Sequence, residues 1–277
     1  MYTSVALSGG GYRAICHLGA LSYLEDIEML QNVEAIAGSS AGSLVAAMVI
    51  LNGNKNVTHL HKICMQQPVF NLKYINPIKK YGLARLNLRM LEQRIETRFG
   101  TKTATFKDLR KATGKKLIVT GFRIRDGETV YFGEDETTDD VQILKAIYAS
   151  TAVPPVIAPV IIDGDMYIDG SLGAHVPMKP FKNECSENVI GFCLGTQPER
   201  VSSIGDYASA ILTAMINQLN EKNAHMQHRV QHMEVDSDMD ILALSKGFSK
   251  LRANELFTQG YETMHQAYLK DIENKTK

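Results

Sequence analysis

Val33-Glu34-Ala35-Ile36-Ala37-Gly38-Ser39-Ser40-Ala41-Gly42-Ser43-Leu44-Val45-Ala46-Ala47-Met48-Val49-Ile50-Leu51 decides the architecture. Val33 to Ala37 is short and apolar, as a buried strand must be, and Gly38 to Gly42 is a glycine turn. Ser43 to Leu51 then predicts a helix whose unrelieved apolarity requires packing on all sides. The same order precedes it. Tyr2 to Leu7 predicts a strand that runs into Ser8-Gly9-Gly10-Gly11, followed by a helix from Arg13 to about Met29. There Ile15, Leu18, Leu21, Tyr23 and Leu24 recur at steps of about three and four, with Glu25, Asp26 and Glu28 on the other side. Strand, glycine turn and helix, twice over, argue for parallel strands joined by crossover helices. The predicted fold is a three-layer α/β/α arrangement with a central, mostly parallel sheet.

Further along, helices are predicted near Val57 to Met65 and Leu88 to Phe99, and a hairpin of Lys116 to Ile124 with Thr129 to Phe132 around Asp126-Gly127. Val141 to Ser150 reads as a helix, and Val160 to Ile162 and Met166 to Ile168 as strands around Asp163-Gly164; the second delivers Asp169-Gly170. Asn188 to Leu194 and Asp240 to Leu244 read as further strands, and about Ile204 to Met233 and Ala253 to Ile272 as long helices. No repeat or linker divides the chain, so residues 1–277 are expected to form a single domain.

Composition narrows the function. Thirty Lys and Arg balance thirty Asp and Glu, so no global field favours nucleic acid, and none is expected as a partner. The four cysteines fit no C-x-x-C pair, which suits a reducing compartment and not a structural zinc site. The first basic residue is Arg13 and the longest strictly apolar run is Leu44 to Leu51, so neither a signal peptide nor a spanning helix is predicted. The expected location is cytoplasmic.

Gly38-Ser39-Ser40-Ala41-Gly42 satisfies G-x-S-x-G between a strand and a helix, the context that gives the pattern meaning. A sharp strand-to-helix turn exposes Ser40 at a helix N-terminus, where free N–H groups favour the charge that develops when a hydroxyl attacks a carbonyl. An N-terminal serine cap is the plainer alternative. Gly9, Gly11 and Ala14 also satisfy the dinucleotide pattern G-x-G-x-x-A. That reading needs an acid at the end of the second strand, where Gly38 and two serines stand instead. Alternatively, Gly9, Gly10 and Gly11 offer unobstructed N–H groups and Arg13 a positive charge, as an oxyanion hole requires. Late histidines exist, and His225, His228 and His232 fall on one helical spacing, but no carboxylate accompanies them; no metal is predicted. His175 is six residues from Asp169 and at best a neighbour of the site.

The glycine triad with its arginine, the Gly-Ser-Ser-Ala-Gly elbow and Asp169-Gly170, in this order, resemble the patatin-like phospholipases. Ala149-Ser150-Thr151-Ala152-Val153-Pro154 and Tyr167-Ile168-Asp169-Gly170 are similar to the segments around that family's aspartate. The resemblance covers roughly residues 4–45 and 146–177, with Ala14 and Ser171 standing where Gly, or Gly or Ala, are commoner. It implies Ser40 as nucleophile, Asp169 as its partner in a Ser-Asp dyad, Gly9, Gly10, Gly11 and Arg13 as the oxyanion hole, and no cofactor. It also implies lipid acyl esters, phospholipids among them, as substrates of a phospholipase A type hydrolase. A broad esterase or acyltransferase of the same mechanism, and an inactive lipid-surface binding module, are the alternatives.

A lipid substrate would require contact with a membrane surface, and residues 71–94 are the candidate. Lys73, Lys79, Lys80, Arg85, Arg89 and Arg94 face Glu92 alone there, interleaved with Tyr74, Ile75, Ile78, Tyr81, Leu83, Leu86 and Leu88. An ordinary solvated helix and loop is the plainer reading. Seven acids between Asp126 and Asp140 lack the spacing of a calcium loop.

Overall fold

The computed structural model describes residues 1–66, 72–74, 81–82, 84–195, 210–211, 214–215, 230–233 and 249–276. Strand β1 (Ser4–Leu7) leads through a 3-10 turn (Gly11–Ala14) into α1 (Ile15–Asp26), and β2 (Ala35–Gly38) leads into α2 (Ala41–Leu51). After α3 (Val57–Gln66) come an antiparallel pair, β3 (Leu72–Tyr74) and β4 (Ala84–Leu86), then α4 (Arg89–Phe99) and α5 (Phe106–Thr113). The hairpin is β5 (Lys116–Arg123) with β6 (Glu128–Phe132), followed by α6 (Ile143–Ser150), β7 (Val160–Ile162), β8 (Asp165–Asp169), β9 (Val189–Leu194), β10 (Val230–Met233) and α7 (Lys250–Thr276).

The main sheet runs β10-β9-β1-β2-β5-β8-β7, with β6 also paired to β5. From β10 to β5 every pairing is parallel; β6, β7 and β8 pair antiparallel. This is the expected mostly parallel sheet flanked by helices. Its strands sort residues by size: Val5, Leu7, Ile36, Leu117 and Val119 face the larger core with α1, α2 and α7, while Ala6, Ala35, Ala37 and Ile118 face a smaller one with Ala174 and Phe181.

One feature of the register positions the site. Val119 pairs with both Gly38 and Phe132, and Gly121 with both Val130 and Asp169. A strand has two edges, and β6 fills one of them from Val119 to Arg123. The other edge of β5 is therefore shared: β2 occupies it up to Val119 and β8 from Gly121 onward. The C-terminal ends of β2 and β8 are thereby brought head to head, Gly38-Ser39-Ser40 against Asp169.

The last described helix belongs to the same body. α7 packs on α1 where Gly19 meets Gly260: a Cβ on Gly19 would lie 1.9 Å from the Phe257 carbonyl oxygen, and one on Gly260 1.9 Å from that of Cys16. Tyr23 stacks on His265 and meets Tyr261 edge-on beside this contact.

Three expectations change. Residues 230–233, predicted to end a long helix, form β10 parallel to β9, because a four-residue apolar and polar mixture at a sheet edge carries no period. His232 therefore sits on a strand, off the helical spacing proposed for it with His225 and His228, which lie outside the described residues. α5 was not predicted, although Thr105 and Asp108 form a reciprocal capping box at its start. Of the basic segment 71–94, Lys79 and Lys80 lie outside the described residues, while Leu86 and Leu88 turn inward and the Arg94 guanidinium donates to Asn52 Oδ1 at 3.2 Å. The strand predicted over 240–244 also lies outside the described residues. No helix among the described residues is long and apolar enough to cross a membrane.

Candidate active site

Ser40 joins β2 to α2 with φ 49° and ψ −125°, a conformation that L-residues avoid. The surroundings hold it there. Its N–H donates to Ser150 Oγ at 2.9 Å, and its carbonyl oxygen accepts from Ser43 N–H at 3.0 Å and Ser43 Oγ at 2.6 Å. The elbow lies hard against β1: a Cβ on Gly42 would fall 2.5 Å from the carbonyl oxygens of both Leu7 and Ser8. Only glycine permits that approach.

Asp169, at the end of β8, is almost fully buried at 1% exposure. Ser40 Oγ donates to its Oδ2 at 2.6 Å, and Ser171 N–H donates to its Oδ1 at 2.8 Å. Burial raises the carboxyl pKa to about 6, against the opposing pull of the hydrogen bonds from Ser40 and Ser171. A hydroxyl, 9% exposed in its residue, thus faces a carboxylate whose basicity has been moved toward neutrality. Sequence reasoning names both residues, and the structure brings them together.

Beside the Ser40–Asp169 pair lies a polar chain that sequence reasoning missed. Thr120 Oγ1 donates to Ser39 Oγ at 2.9 Å, and Ser39 Oγ lies 3.1 Å from Ser171 Oγ. Ser150 was quoted in the sequence only as part of a segment; the signal that gives it a role is the strained serine whose N–H it receives.

The glycine turn lies on the other side. A Cβ on Gly9 would meet Ser171 Oγ at 2.2 Å and Ser40 Cβ at 3.1 Å, so the turn lies against Ser40 and against the residue two beyond Asp169. Gly10 and Gly11 have φ of 155° and 58°. The Gly9 N–H donates to the His175 carbonyl oxygen at 3.4 Å, whereas those of Gly10 and Gly11 meet no acceptor among the described residues. Arg13 is a strut of this turn: its Nε donates to the Gly10 carbonyl at 3.3 Å and an Nη to that of Gly195 at 2.7 Å.

Two histidines are buried beneath the turn. His17 Nε2 donates to the Ser8 carbonyl at 2.9 Å and His175 Nε2 to that of Leu194 at 3.2 Å, each carbonyl fixing the tautomer. Burial lowers both pKa values to about 4, so both rings are neutral at pH 7. Among the described residues, no histidine hydrogen-bonds Ser40 or Asp169.

The arrangement defines a class: an α/β protein whose serine stands at a strained strand-to-helix elbow, against a buried aspartate and beside a glycine turn. Over residues 5–182, more than half its length, the chain matches the family described as patatin-like phospholipase, and it belongs to that family of lipid hydrolases. It is 28% identical over 197 residues to the uncharacterized protein R571 of Acanthamoeba polyphaga mimivirus, covering 67% of this chain and 63% of that one. It is 27% identical over 187 residues to the probable lipid hydrolase 463L of Invertebrate iridescent virus 6, covering 64% and 62%. The chain thus spans less than two thirds of the curated relatives it matches. In fold it is similar to VipD from Legionella pneumophila, with a TM-score of 0.56, 14% identity and coverage of 96% of this chain and 66% of that one.

Proposed function

We propose that the chain is a lipid acyl hydrolase of phospholipase A type, acting by a Ser40–Asp169 dyad. The observation that carries this reading is the 2.6 Å hydrogen bond from Ser40 Oγ to Asp169 Oδ2 at a strained elbow. As Ser40 Oγ attacks the ester carbonyl, its proton passes to Asp169, and the carbonyl oxygen becomes an oxyanion. The N–H groups of Gly10 and Gly11 receive that charge, aided by the N-terminus of α2. The ester C–O bond then breaks, Asp169 returns the proton to the leaving alcohol, and the acyl group remains on Ser40. Water attacks this second ester, Asp169 again taking and returning a proton, and the fatty acid leaves. Gly9 and Arg13 serve the oxyanion hole as positioning residues, Gly9 by letting the turn approach Ser40 and Arg13 by holding the Gly10 carbonyl.

A carboxylate can serve as sole base here because it is buried and already bonded to the hydroxyl it deprotonates. On this reading residues 1–277 act as one cytoplasmic domain that meets lipid at a membrane surface. A fluorophosphonate probe tests the proposal: it labels Ser40 in the wild type, while Ser40→Ala and Asp169→Asn both lose release of fatty acid from phospholipid. Wild-type release by either variant would refute the dyad.

A further inference from the structure

An apolar cavity opens beside the elbow, and the dyad does not use it. Its walls come from four helices and the glycine turn. α2 supplies Ala41, Leu44, Val45 and Met48, one stripe at steps of three, one and three residues that begins at the residue after Ser40. Tyr12, Ile15 and Leu18 line the side toward α1, and Leu60, Cys64 and Met90 come from α3 and α4. No charged side chain lines it.

We infer that this cavity holds the acyl chain of the substrate and that Met48 and Met90, with Cys64, form the stop that sets its length. The inference deepens the hydrolase reading and rests on it for the direction of entry. The lining starts at Ala41, the residue after Ser40, so an acyl group carried on Ser40 Oγ finds its nearest apolar wall there. From Ala41 to Met48 the helix advances about 10 Å at about 1.5 Å per residue. An extended alkyl chain, with C–C bonds of about 1.5 Å at tetrahedral angles, advances about 1.25 Å per carbon, so the stripe accommodates about eight carbons beyond the carbonyl. Tyr12 and Cys64 alone among the lining side chains carry a polar group, so a sugar, a headgroup or a peptide would leave most of its polar groups unpaired there.

The end wall is built from deformable and half-buried side chains. Met90 and Cys64 are intermediate in exposure, and Met48 is buried behind Val45 on the same stripe. Unbranched methionines yield more readily than branched residues, so the stop is soft: longer chains are disfavoured, not forbidden. Within the filled length each added methylene should improve kcat/KM about fourfold, and beyond the stop the gain should cease.

Two measurements test this. The first compares kcat/KM for p-nitrophenyl esters from acetyl to stearoyl. The wild type is expected to peak near decanoyl, Met48→Ala and Met90→Ala at longer chains, and Met48→Phe at shorter ones. A wild-type optimum that none of the three variants moves would overturn the inference. The second needs no catalysis: in Ser40→Ala, free decanoate should slow alkylation of Cys64 by N-ethylmaleimide several-fold, read peptide by peptide in a mass spectrometer, and acetate should not. Equal alkylation with both acids would overturn the inference even if the esters are hydrolysed. Protection of Cys64 without ester hydrolysis by the wild type would support the cavity and refute the hydrolase reading instead.

Discussion

Replacing Asp169 with Asn should abolish hydrolysis and at the same time make the fold more stable, by an amount that depends on pH. Burial raises the Asp169 carboxyl from its ordinary value of 3.8 to about 6. A difference of about two pKa units, at about 1.36 kcal/mol each, corresponds to about 3 kcal/mol. The folded protein holds this proton more tightly than the unfolded chain. Its contribution to stability is therefore full below about pH 4 and is lost as pH rises through about 6. Asn carries no such titration. It can still serve the local hydrogen bonds: its Oδ1 accepts from Ser171 N–H, and its NH₂ donates to Ser40 Oγ, whose hydroxyl turns away. The stability gap in favour of Asn should thus be near zero at pH 4 and reach about 3 kcal/mol at pH 8, or several degrees in Tm. Urea unfolding followed by far-UV circular dichroism measures it, since the chain has no Trp to report by fluorescence. Other titrating groups are common to both proteins and cancel in the difference. A variant no more stable than wild type at pH 8, or a gap equal at both pH values, would refute the claim that Asp169 is a desolvated carboxylate held against its preference for water.

The same burial predicts that kcat/KM of the wild type falls as pH drops through about 6, because the protonated carboxyl cannot accept the Ser40 proton; a profile flat from pH 5 to 8 would speak against Asp169 as base. Ser150→Ala leaves the N–H of Ser40 without its acceptor at a strained turn and should lower kcat roughly tenfold with little change in KM, as a loss of about 1–3 kcal/mol for a buried unpaired donor implies. A kinetic analysis in which KM alone rises would assign Ser150 to substrate binding instead. Gly260→Ala should lower Tm despite the better helix propensity of Ala, because the new methyl meets the Cys16 carbonyl oxygen and must separate α7 from α1; an unchanged or higher Tm would show that the helices yield freely.

The first fifty residues were legible because two local signals coincide there, apolar runs too short for anything but buried strands and glycines that only a tight turn explains. β1 and β2 pair in parallel from Ser4 with Ala35 to Leu7 with Gly38, as the alternation of elements required. Ser40 and Asp169 were named through resemblance, and spacing alone would not have joined residues 129 apart. Their meeting depends on β5 dividing one edge between β2 and β8, a register that no local pattern encodes. β10 was misread for the same reason: its pairing with β9 is tertiary. Ser150 and Thr120 were invisible as functional residues because small hydroxyls in helices and strands are ordinary, and only the strained amide of Ser40 and the hydroxyl of Ser39 give them work.

The Thr120–Ser39–Ser171 chain explains how the Ser40–Asp169 pair can be nearly dry and still hold its geometry. A carboxylate deprived of water needs fixed donors, and Asp169 accepts from Ser40 Oγ and from Ser171 N–H. The side chain of Ser171 is in turn anchored by Ser39, whose hydroxyl is oriented by Thr120 on β5, the strand that both site-bearing strands share. The Ser40 loop and the Asp169 loop are therefore tied to each other and to one common strand, so a shift of either would be felt by both. A glycine or alanine at position 171 would leave Ser39 without this partner, so the coupling depends on the Ser171 hydroxyl. Ser171→Ala should keep the Asp169 contact from its backbone N–H but loosen that tie, and the sensitive readout is the apparent pKa of the rate profile. Loss of a neighbouring polar hydroxyl disfavours the carboxylate and should move that pKa above about 6. A profile superimposable on wild type would mean that the hydroxyl chain fills space and does not tune the base.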